Sequence, residues 1–166
     1  MKLKGIITLI FLLMLATSCQ KESIEKLNED TTKTVTAEPT GILEVNNVWV
    51  RVAAKGRNTA MFLDILNGTG EADTLISAES NAAVLVEIHE TYKRENDMMG
   101  MRQVEQVIIP SLQQISLKPR GLHVMLITLN NDIQIGDTIK TTLNFASAGR
   151  IDVTGIAKEM DMRKMK

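Results

Sequence analysis

From residue 43 to residue 157 the apolar positions fall in short runs, most of them alternating with polar ones and closed by turn residues. That alternation has the two-residue period of a strand, not the 3.6-residue period of a helix. Strands are expected at 43–52, 59–67, 73–78, 83–92, 101–104, 108–109, 112–117, 122–129, 138–145 and 150–157. The run 83–92 is the cleanest, with Val84, Val86 and Ile88 on one face and Leu85, Glu87 and His89 on the other. Asn67-Gly68-Thr69-Gly70, Lys118-Pro119-Arg120-Gly121, Asn130-Asn131 and Gly136-Asp137 supply turns, and 91–100 reads as a charged, flexible loop. Short strands at regular spacing with no helix longer than two turns imply an all-β Greek-key sandwich or barrel spanning 42–158.

The front of the chain has a different pattern. Lys2 and Lys4 precede an almost unbroken apolar run from Gly5 to Leu15, and Ala16-Thr17-Ser18-Cys19 closes it. This is a secretory leader, too short to span a membrane. The small residues before the cysteine resemble a bacterial lipoprotein cleavage site. That resemblance implies a signal peptide at 1–18, Cys19 as the lipidated first residue and a membrane attachment through its acyl chains. Residues 19–41 are rich in Glu, Lys, Asn, Asp and Thr and read as a flexible tether. The polar Gln20-Lys21-Glu22-Ser23 resembles surface-export signals of envelope lipoproteins, so the expected place is the cell envelope, at the outer membrane and facing the periplasm or the outside.

Composition narrows the chemistry. The 166 residues suffice for one domain with a core, and with only 3% aromatics that core must be aliphatic. A formal charge of -1 gives no electrostatic footprint for nucleic acid. Cys19 is the only cysteine, so a lipidated form has neither a thiol nor a disulfide to offer. Two histidines, no free thiol and no paired acids or Ser-His-Asp pattern leave little for an enzyme to work with.

Ten methionines are more than packing requires, and several lie near histidines or in polar surroundings. In an extended strand His123 and Met125 would share a face, with their backbones roughly 7 Å apart. Upstream, His89 precedes Met98, Met99 and Met101. Imidazole paired with thioether suits monovalent copper: zinc prefers Cys, His or carboxylate, and blue-copper sites need a thiolate. The candidate ligands are His89, Met101, His123 and Met125, with Met98 and Met99 as accessories. The alternative for each histidine is an ordinary strand residue, and for Met101 a core residue. The tail 159–166 carries Met160, Met162 and Met165 and reads as a frayed end, with a loose second copper site as the alternative. Histidine must be deprotonated to bind metal, so affinity should fall below about pH 6.

From about Val45 to Ala157 the chain resembles the PCuAC family of periplasmic copper chaperones. The matching pieces are Val48-Trp49-Val50-Arg51, the Asn67 to Gly70 turn, Glu87-Ile88-His89-Glu90, Met99-Gly100-Met101-Arg102-Gln103-Val104, Ile109-Pro110 and Leu117 to Leu126. The family's motif is a histidine, a methionine roughly ten residues on, twenty-one intervening residues, then His-x-Met. Residues 102–122 supply that interval between Met101 and His123, while His89 stands one residue further from Met101 than is usual, which leaves Met99 as a substitute. The resemblance implies a cupredoxin-like, immunoglobulin-like β-sandwich with an exposed Cu(I) site. It further implies delivery to the dinuclear copper centre of cytochrome c oxidase, with a thioredoxin-like helper. A copper store and a metal-free interaction module on the envelope are the alternatives.

Overall fold

The computed structural model describes residues 39–160. Ten strands fill it: β1 (Leu43–Arg51), β2 (Thr59–Asn67), β3 (Asp73–Glu79), β4 (Ala83–Lys93), β5 (Met99–Gln103), β6 (Val107–Ile109), β7 (Gln113–Leu117), β8 (Leu122–Leu129), β9 (Thr138–Phe145) and β10 (Arg150–Lys158). A single 3-10 turn, Glu95–Asp97, is the one helical piece among the described residues. The all-β expectation therefore holds. Cys19, the leader, most of the tether, Met162 and Met165 lie outside the described residues.

The strands form one hydrogen-bonded sheet in the order β5-β4-β8-β2-β1-β10-β9-β3-β6, with β7 also on β2. The β1–β10 pair is parallel and the others are antiparallel. β3 and β4 lie near opposite ends of this order, yet they pack against each other, so the sheet curls over on itself. Its inner face encloses Val50, Met61, Leu63, Ile65, Leu75, Ile109, Leu117, Val124, Leu126 and Leu143, all essentially without solvent contact. Each such side chain contributes about 1.5–3 kcal/mol through burial. β10 shows the expected pattern in its simplest form, burying Val153, Gly155 and Ala157 and exposing the residues between them. Gly155 is needed there because a Cβ would come within 3.1–3.3 Å of Val50, Val48 and Met61, the close approach that the parallel pairing demands.

The structure departs from the sequence pattern in two places on β4 and its neighbour. The stretch 91–100 is a hairpin, not a loose loop: β4 continues to Lys93, and Tyr92 and Lys93 pair with Gly100 and Met99 of β5. The Lys93–Asp97 ion pair at 2.6 Å spans its tip. A local reading misses this because the pairing partner of each residue lies across the turn. On β4 itself Ile88 is buried, whereas Val84, near the strand's start, is 72% exposed.

β2 positions the rest. β1 lines one of its edges, while β7 and β8 share the other. β7 is in register as far as Leu63↔Leu117, and β8 resumes at Met61↔Val124. Residues 118–123 thus stand against the single Phe62 and loop outward. Gly121 N–H donates to the Lys118 carbonyl at 3.0 Å to close the turn, and Arg120 takes the left-handed φ of 66° that the reversal requires.

Candidate metal centre

The outward loop delivers His123 to the first paired positions of β8 with β4, where it sits directly opposite His89. The next pair on that face is Glu87↔Met125, and on the far side of β4 Thr91 pairs with Met101. Because side chains two apart share a face, His89, Glu87, Met101, His123 and Met125 all project from one surface of the β5-β4-β8 ladder. Ala60 and Phe62 of β2 continue it, since Ala60 pairs with Met125. Trp49 packs on Phe62 with ring centroids 4.5 Å apart, and Phe62 stands 6.3 Å from His123.

A cavity of about 270 Å³ opens on this surface. Met101, His123 and Met125 line it, together with Arg51, Phe62, Pro119, Arg120 and Met160 among others. Exposure is graded across the donors: His123 is 4% exposed and Met125 is half-buried, while Met101 is 55% exposed. Met98 and Met99 are exposed and lie outside the cavity wall. His89 is also off the wall, one ring away, with its centroid 6.0 Å from that of His123.

The hydrogen bonds settle which ring nitrogens carry lone pairs. Gly121 offers a carbonyl, which can only accept, so His123 Nδ1–H donates to it at 3.0 Å and Nε2 holds the lone pair of the neutral ring. Glu87 offers a carboxylate oxygen 2.7 Å from His89 Nε2, so Nε2–H donates there, and in the neutral ring the lone pair falls on Nδ1. That Nδ1 is buried and has no partner. Among the described residues two other buried side-chain atoms share that state, Thr141 Oγ1 and Asn144 Oδ1, and both belong to β9. Burial lowers the His123 pKa from its ordinary 6.5; the Gly121 carbonyl opposes this, and the neighbouring His89 and Arg51 add to it. His123 is therefore neutral at physiological pH, the form a metal requires.

No group of three or more His, Cys, Asp or Glu side chains converges to hold a metal among the described residues. The donors that line the cavity are imidazole and thioether, a soft set. The sequence carries no local signal for Phe62 and Arg51 as parts of the wall, because both arrive from neighbouring strands. Of the tail expected from residue 159 onward, Met160 lies on the cavity wall.

Residues 43–156 match the family model described as "Putative lipoprotein LpqE-like". The chain belongs to the LpqE-like lipoprotein family. A member from Leifsonia xyli subsp. xyli, "Putative lipoprotein Lxx21020", is 30% identical over 118 residues, covering 70% of each chain. The LpqE-like chain also superimposes on solved PCuAC domains. The copper-bound PCuAC domain from PmoF2 gives a TM-score of 0.59 at 17% identity, covering 76% of this chain and 98% of that one. The solution structure of the Cu(I) form of DR1885 from Deinococcus radiodurans gives 0.55 at 22% identity, covering 77% and 82%. The LpqE-like domain therefore has the PCuAC fold.

Proposed function

We propose that this LpqE-like protein is a lipid-anchored Cu(I) metallochaperone of the cell envelope, tethered through Cys19. One observation carries the reading: Met101, His123 and Met125 line one cavity, beside a histidine whose buried lone pair has no partner. His123 would bind through Nε2 and Met101 and Met125 through their sulfurs. His89 would bind through Nδ1, with Glu87 fixing its tautomer and orientation as a carboxylate behind a metal-bound histidine does. Two of the PCuAC structures that share the fold hold copper, one of them as Cu(I), which agrees with the soft donor set.

The graded exposure suggests a route for transfer. An incoming thiolate or imidazole would displace Met101 at the rim first, then Met125, and His123 at the base last. The recipient we favour is the dinuclear copper centre of cytochrome c oxidase, with a thioredoxin-like protein keeping its thiols reduced. The test is a Cu(I) titration of the full chain against a chromophoric chelator, repeated with His123→Ala and Met125→Ala. One-to-one binding, lost in both variants while the strand circular dichroism is kept, is the expected result. Equal binding in all three proteins would remove the site.

A further inference from the structure

The strand that closes the fold also aims at the cavity. β10 runs parallel to β1, with Arg51 and Lys158 as partners at the end of the pairing. Val52 N–H donates to the Lys158 carbonyl at 3.2 Å, and the Lys158 ammonium lies 4.6 Å over the Trp49 ring. The chain is thereby pinned at Lys158, next to a residue on the cavity wall. Two positions on, Met160 lies on that wall, half-buried, in the same cavity as Met101 of β5 and His123 and Met125 of β8. Nothing in the core calls for it, since the packed cluster ends with Ala157.

We infer that Met160 is a further copper ligand, the third thioether of the site. The inference rests on the copper reading above and adds a donor to it. The cavity wall without Met160 offers one imidazole and two thioethers; with it the wall alone offers four soft donors, the number at which Cu(I) is commonly satisfied. His89, off the wall and held by Glu87, adds its Nδ1 from behind. The donor also differs in kind from the others. Met101 and Met125 are held in strands, whereas Met160 follows the last strand, two residues beyond Lys158.

The experiment labels the methionine methyl carbons of the full chain in detergent micelles and adds one equivalent of Cu(I) as its acetonitrile complex. Resonances are assigned by single Met→Leu variants. The methyls of Met101, Met125 and Met160 are expected to shift together, and Met160→Leu should weaken Cu(I) binding on the order of tenfold. Leu keeps the apolar volume and removes only the sulfur, and its site lies beyond the last strand, so the fold is not at stake. Shifts at Met101 and Met125 with Met160 unmoved, or affinity unchanged in Met160→Leu, would overturn the inference and leave the copper site standing. No methyl shift anywhere would overturn the copper reading and this inference with it.

Discussion

Two corners of this sheet bury polar side chains, and they treat them in opposite ways. At the β2–β3 corner Asn67 is wholly buried, and each of its polar atoms is used. Its amide donates to the Glu71 and Ile109 carbonyls at 2.8 and 3.1 Å, and its oxygen accepts from Thr69 N–H and hydroxyl at 3.0 and 2.6 Å. Asp73 beside it accepts from the Thr74, Ser147 and Ala148 amides at 2.6–2.8 Å. Burial alone would raise the Asp73 pKa, but those amides outweigh it and hold the carboxyl below its ordinary 3.8. At the histidine corner, burial is similar but His89 Nδ1 is left without a partner beside a cavity lined by thioethers. An unmet buried polar atom costs about 1–3 kcal/mol. Saturated bonding marks a corner whose work is to hold the fold, and an open lone pair among soft donors marks one that keeps a place for something else.

The sharpest way to break this contrast is to exchange the consequences. His123→Ala should lower Cu(I) affinity by about 100-fold or more in a competition titration while leaving the sheet folded. Asp73→Ala should do the reverse, costing about 3 kcal/mol in urea unfolding through three lost charge-assisted bonds, with Cu(I) affinity unchanged. Equal effects of both on both readouts would erase the distinction.

Glu87→Gln should give a smaller effect, on the order of tenfold in affinity, because the amide can still accept from His89 yet no longer polarises the ring. Acidification separates the corners again. His123 has a depressed pKa, so its contribution to stability is complete above 6.5 and is lost as pH falls through the lower folded value, where proton uptake also opposes copper. Asp73 has a depressed pKa too, so its contribution is intact above 3.8 and is lost only below it. Unfolding of the apo form followed from pH 8 to 3 should therefore weaken in two stages, and Asp73→Asn should delete only the second. The smallest expected effect is Met99→Leu, which should leave affinity unchanged, since Met99 lies off the wall.

Much of this was legible in the residues. The expected 59–67, 122–129 and 138–145 coincide with β2, β8 and β9, because each is a run rich in β-forming residues between strong turn signals. His123 and Met125 share a face for the same local reason. What stayed hidden depends on pairing between distant segments. The 91–100 hairpin exists because Tyr92 meets Gly100, and that glycine is buried under the Tyr92 ring, where a Cβ would stand 2.8 Å from Cζ. Arg51, Phe62 and Met160 reach the cavity only through the β2–β8, β1–β2 and β1–β10 pairings, which no run of alternating residues announces.

The loop at 118–123 separates two tasks that most binding sites entangle. Pairing is in register on either side of it, at Leu63↔Leu117 and Met61↔Val124. β2 is therefore indifferent to what residues 118–120 contain, the part of the loop that precedes Gly121 and β8. Natural variation or a designer could lengthen it, reverse its charge or seed it with other donors, and a new cargo preference could be tried on this scaffold without refolding it.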